Sequence, residues 1–297
     1  MEEDMKILSG GRGQASLKPT LKSWLFPGGL LPEHVMGGVL LYLLLMWGCF
    51  FLIDAFDVFG VRAFLHARSI TDPLWFHLNR QASITEILQW VVLGATAFTA
   101  GVIRGAATGD GNGAKGRAFW TIMGIATIFM LIEDAGDPRH RLTDYIVTFT
   151  GHTRAEELGR YLVTAVELVY FSILASIPLY AILRYGLFFR VYRKVKFYLL
   201  TGFVAYGAAS IFSVTSYMND WYIKAGGFIH NVVAGGQLYR VDWPYTAYHV
   251  HEFWLMDLIV EESIELLGAG ALLAAALSYL QVLKAKKESH GAGSGQS

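Results

Sequence analysis

Between Phe253 and Leu283 the chain reads FWLMDLIVEESIELLGAGALLAAALSYLQVL. That is long and apolar enough to cross a bilayer, which takes about 20 residues at about 1.5 Å each. Its first half nevertheless carries Asp257, Glu261, Glu262 and Glu265. A charged side chain at the middle of a span costs about 2.5–3.5 kcal/mol on insertion scales, so four acids on one segment demand protein, protons or a cation to face. On an α-helix Asp257, Glu261 and Glu265 fall at i, i+4 and i+8 along one stripe, and Glu262 widens it by about 100°. From Leu266 onward the stretch is plain membrane helix, with Gly268, Ala269 and Gly270 suited to close helix approach.

Five more apolar runs precede this one, and the 297-residue chain is 54% hydrophobic with 16% charged residues. These features predict an all-α, polytopic membrane helix bundle and exclude a soluble domain. The expected spans are about 36–53, 86–104, 118–134, 161–184, 197–217 and 254–283. Residues 1–34 lack the apolar core of a cleavable signal, so the first span is expected to do the targeting. A disordered tail is expected over 284–297. Short interfacial helices are expected between spans, one of them after Asp137-Pro138, which has the form of an N-cap followed by proline at N1. Ser83 or Thr85 is the expected cap of the second span. The connection 221–252 is rich in aromatic residues that need burial, which predicts that it folds over the bundle or meets a membrane-protein partner.

Six spans put both termini on one side, and fifteen of the 24 cations fall there. By the positive-inside rule that side is the cytoplasm, giving a multi-pass inner-membrane protein. The acids segregate the other way, since, Glu33 apart, every acid that flanks or enters a span does so at its outer end. Asp54 ends the first span, Glu86 begins the second, Glu133 and Asp134 end the third, Glu167 lies near the start of the fourth, Asp220 ends the fifth and the quartet opens the sixth. This predicts an outward-opening acidic cavity with His140, His249 and His251 near its lip.

Carboxylates gathered in low dielectric cannot all be charged, so some hold protons or a cation neutralises them. Oxygen and imidazole donors from several helices suit a transition-metal ion (Fe, Mn or Zn). The candidate ligands are Glu86, Glu133, Asp137, His140, Glu167, His251, Glu261, Glu262 and Glu265. The donor types are those of carboxylate-bridged dimetal bundles, but Glu-x-x-His does not occur twice, and Pro138 is expected to separate Glu133 from His140. Such an ion would support membrane-embedded redox or hydrolytic chemistry. The alternatives are a proton- or cation-coupled transporter, which lacks the usual repeats and broken helices, and a non-catalytic subunit whose acids pair with Arg139, Arg141 or Arg160.

Blander roles compete at each position. Asp54, Asp57, Asp134 and Asp220 suit span ends or caps in water, and Glu86 suits a helix first turn without any site. Cys49, the one cysteine, rules out an intrachain disulfide and cysteine-based metal centres. The glycine-rich loop 105–117 follows no strand and lacks Walker spacing, and the serine-hydrolase elbow, HExxH, Rossmann and EF-hand patterns are missing. No span has a histidine near its middle for haem, and the basic patch at Arg190–Lys196 suits anionic lipid better than nucleic acid.

Overall fold

A computed structural model describes residues 30–70, 72–107, 112–154, 156–218, 220–239 and 250–293. Among them every regular element is a helix, and six are long and apolar enough to cross a membrane. The crossings are α1 (Pro32–Cys49, continued by a π-helical turn Phe50–Ala55), α4 (Ile84–Ala106), α5 (Asn112–Gly136), α7 (Glu157–Tyr185), α8 (Arg193–Thr215) and the last one. The last crossing is built in three pieces, α10 (His251–Trp254), a π-helical segment Leu255–Glu261 and α11 (Glu262–Gly293). Between crossings lie α2 (Val61–His66), α3 (Leu74–Asn79), α6 (Pro138–Phe149) and α9 (Trp221–Phe228, continued by a π-helical turn Ile229–Val233).

The helix ends follow from local chemistry. Ser83 caps α4 by accepting from the Glu86 amide at 3.3 Å, while the Glu86 carboxylate reaches back to the Ala82 amide. This Ser-x-x-Glu pairing is close to a capping box, with the carboxylate taking the amide of the residue before the cap. Pro32 and Pro138 occupy first-turn positions of α1 and α6, where a missing N–H is harmless. Asp137 stands at the N-cap of α6 as expected, but in the left-handed conformation (φ 50°) and without a side-chain cap bond. Its carboxylate turns to His140 Nδ1 instead.

Asp54 departs from the expectation of a residue in water. It is 2% exposed and accepts from the amides of Leu74 and Trp75 at 2.9 and 2.8 Å. Pro73, at the N-cap of α3, has no polar side chain, so Asp54 supplies the cap from another helix. The expected tail differs too, because α11 continues to Gly293 where a disordered segment from 284 is predicted. The N-terminal segment before Leu30 lies outside the described residues, as do His249 and the rest of 240–249.

The last crossing is the hub. α11 packs against α8, α4 and α1, and α4 against α5, which in turn meets α7. Close approach to α8 depends on glycine: a Cβ on Gly202 would lie 2.7 Å from Leu272, and one on Gly268 would lie 2.7 Å from Tyr206. Away from the acidic end, Phe119, Trp120, Phe189 and Tyr279 close the bundle as one aromatic core. At the acidic end a second core joins Phe50, Trp75, Phe76, Leu238, Leu255 and Ile259, so the π-helical turns of α1 and of the last crossing share one packing unit with α3. Of the connection expected to fold over the bundle, 221–239 lies within the described residues, and there Tyr222 is fully buried beside Tyr217, Phe253 and Met256 while Phe228 is exposed. Large apolar side chains such as Leu44, Val91, Leu183 and Val204 point outward, as a lipid-facing surface requires.

Candidate functional site

The acids at one end of the crossings meet a common space. A cavity of about 830 Å³ is lined by Glu86 and Gln89 of α4, Glu133 and Asp134 of α5, Asp137 and His140 at the α6 turn, and Asp257, Glu261, Glu262 and Glu265 of the last crossing. Arg80 and Arg139 are the lining arginines. From this acidic end the cavity continues past Met130, Met123, Phe171, Leu174 and Pro178 to Ile182, Phe203 and Leu272. Eight acids thus face one chamber whose wall away from them is mostly apolar.

The π-helical segment shapes that wall. Bonding from i to i+5 inserts one surplus residue, so Asp257, Glu261 and Glu265 do not repeat at α-helical spacing as the sequence predicts. All three nevertheless line the chamber, together with Glu262. Several acids already have partners. Glu261 Oε2 accepts from the Tyr222 hydroxyl at 2.5 Å, and Glu265 Oε2 accepts from Gln89 Nε2 at 2.8 Å. Burial raises the pKa of the Tyr222 hydroxyl well above its ordinary value, and the nearby Glu261 and Asp257 raise it further, so Tyr222 stays a neutral donor. Glu86 serves the cap of α4.

Arg139 organises the other side. Its Nε lies 3.0 Å from Glu133 Oε1, its Nη1 lies 3.7 Å from Glu167 Oε2, and Nη1 also donates to Ser213 Oγ. The guanidinium sits over the Phe171 ring, 4.8 Å from its centroid. Burial opposes its charge, but Glu167 and Glu133 outweigh burial and raise its pKa above the ordinary value. Glu167, 1% exposed, lines an adjoining cavity of about 320 Å³ with Arg154, Ser213 and Tyr217, and His140 and Asp257 border both spaces. At Asp137 burial pushes the carboxyl up, yet the His140 hydrogen bond and the charges of His140 and Arg139 prevail and hold it below its ordinary value.

Of the nine candidate ligands, the chamber therefore gathers Glu86, Glu133, Asp137, His140, Glu261, Glu262 and Glu265, while Glu167 belongs to the neighbouring cavity. His251 is buried in a different setting, with its ring edge-on to Trp75 and to His230 at centroid distances of 6.0 and 5.1 Å. An unbroken α-helix would bring His251 and Glu262 nearly into line, but the π-helical segment lies between them. Among the described residues no group of three or more His, Cys, Asp or Glu stands where it can hold a metal ion. Gln89, like Arg80 and Tyr206, lines the chamber without being among the candidates named from the sequence. Its signal was its position three residues after Glu86, which puts both on one helix face.

Four carboxylate or amide oxygens bordering the chamber have no hydrogen-bond partner: Glu262 Oε2, Asp134 Oδ2, Glu133 Oε2 and Gln89 Oε1. Gln89 is 1% exposed, so its oxygen has no bulk water to turn to. Compared with family models, with curated proteins and with solved structures, the chain matches none.

Proposed function

We propose that this integral membrane protein binds a cationic group in the acidic chamber. The observation that carries the reading is the imbalance of charge around one space: eight acids line it with two arginines, and Arg139 is already engaged by Glu133 and Glu167. Unpaired acceptors at Glu262, Asp134 and Gln89 call for a guest that brings hydrogen-bond donors. A cation held by hydrogen bonds tolerates acceptors spread around a chamber, whereas a transition metal needs ligands converging to about 2.0–2.2 Å. The test is thermal unfolding of the detergent-purified protein. Propylammonium should raise Tm in a concentration-dependent way, propionate should not, and Glu262→Gln should abolish the rise. No shift with propylammonium would overturn the reading.

A second reading puts a transition-metal ion (Fe, Mn or Zn) in the same chamber, activating water or oxygen for hydrolytic or redox chemistry. It is favoured by the mixed oxygen and imidazole donors Glu133, Asp134, Asp137, His140 and Glu262 around one space. Stoichiometric metal in the purified protein, lost in Glu133→Gln, would select it. The side assignment, an inner-membrane protein with both termini in the cytoplasm, rests on the segregation of cations and acids. A membrane-protein partner, if it docks on 221–252, meets Phe228 and Val232, which are 59% and 64% exposed.

A further inference from the structure

The apolar half of the chamber is not needed to bind a small cation, yet it makes up most of the wall. Along α7 the lining runs from Leu168 through Phe171, Leu174, Ala175 and Pro178 to Ile182, a row of 14 residue steps. At about 1.5 Å per residue that is about 21 Å, some two thirds of a hydrocarbon core about 30 Å thick. This slot also opens sideways. α7 and α8 touch little, and Leu168, Leu179 and Ile211 line the chamber while being 55%, 51% and 63% exposed on the membrane-facing surface. The volume, about 830 Å³, lies within the roughly 300–1,000 Å³ typical of small-ligand sites.

Resting on the cation reading above, we infer that the occupant is a single-chain amphiphile with a primary ammonium head, which enters from the bilayer between α7 and α8. Its head lies among Glu262, Asp134 and Gln89, and its tail follows the α7 row. Each part of that chemistry has a cause. Around the head the unpaired oxygens are the carboxylate acceptors of Glu262 and Asp134 and the amide acceptor of Gln89, with the unpartnered Tyr206 hydroxyl able to give or take. A primary ammonium supplies three donors and a positive charge, whereas a quaternary ammonium supplies no donor. A phosphate-bearing head would meet eight acids and only one arginine free of an acid pair in the lining, Arg80. The tail replaces lipid contacts with protein contacts, so the head supplies the selectivity.

The experiment is photolabelling in phosphatidylcholine nanodiscs with octadecylamine carrying a diazirine at mid-chain. Labelled peptides should map to α7 between Leu168 and Ile182 and to α8 between Phe203 and Val214. Excess octadecylamine should compete the label at least tenfold, and octadecanoate should not. Gly207→Phe tests the tail slot, because a Cβ at Gly207 meets nothing within 4 Å and the ring would fill chamber space without forcing the helices apart. It should cut labelling at least tenfold while leaving the propylammonium Tm shift intact. Label spread over lipid-facing α1 without competition, or Gly207→Phe labelling like the unsubstituted protein, overturns the amphiphile with the cation reading untouched. Loss of the propylammonium shift in the unsubstituted protein overturns the cation reading itself.

Discussion

The last crossing and α7 both carry acids into the membrane, and they accommodate them in opposite ways. In the last crossing 78% of the apolar stretch is buried inside the protein, against 11% in α7. α7 has one intramembrane acid past its first turn, Glu167, and Arg139 tethers it to the bundle. The last crossing has four, and they share Tyr222, Gln89 and a chamber. An outer helix can afford one acid because one cation answers it. A central helix can present several because its neighbours, not lipid, form the walls.

The largest expected effect comes from cutting the α7 tether. Arg139→Ala leaves Glu133 and Glu167 without their cation and should destabilise the protein by about 3–5 kcal/mol, the usual cost of breaking a buried pair from one side. Adding Glu167→Gln should restore part of that loss in a detergent unfolding series. If the double variant is no more stable than Arg139→Ala, the pairing does not explain how α7 holds its acid.

A smaller effect is expected at the hub. Gly268→Val drives a branched side chain toward Tyr206 and Ala205 across the α8 contact, costing about 1–3 kcal/mol as overpacking does. Gly37→Val on α1, where a Cβ meets nothing within 4 Å, is the control and should change unfolding far less. Equal effects would show that burial of the last crossing does not depend on this close approach.

The smallest is a pH effect at the turn between α5 and α6. Because Asp137 is held below its ordinary value of 3.8, its contribution is present above that value and is lost as pH falls through the lower folded value. Asp137→Asn should therefore lower stability at pH 7, with the gap closing below about pH 4 as Asp137 in the unsubstituted protein takes up its proton. A gap that does not narrow at all as pH falls through the acid range would mean that the asparagine disturbs the turn and not the charge.

Much of this was readable from residues alone, and for definite reasons. Apolar length announces a crossing whatever the neighbours do, so all six crossings were legible. Ser83 and Asp137-Pro138 marked helix starts because capping is decided within a few residues. The convergence of acids at one level followed from counting crossings. What could not be read depended on partners distant in the chain. Asp54 caps α3 across 20 residues, and nothing near Asp54 distinguishes it from a span-end acid in water. Nothing near Arg139 in the chain assigns it to Glu133 and Glu167 in place of other acids. The π-helical segments were hidden because i to i+5 bonding is a choice of hydrogen-bond register that leaves no mark in hydrophobic periodicity. That is why counting residues along an unbroken helix misplaces His251 relative to Glu262.

The surplus residue held between Leu255 and Glu261 amounts to a fixed rotation between two halves of one rod. The aromatic segment above it and the small-residue segment below it are each free to satisfy different neighbours, without a bend or a proline joint. Deleting a single residue there would swing His251–Trp254 by about 100° relative to α11, turning Phe253 away from Tyr222 while Gly268 kept its place beside Tyr206.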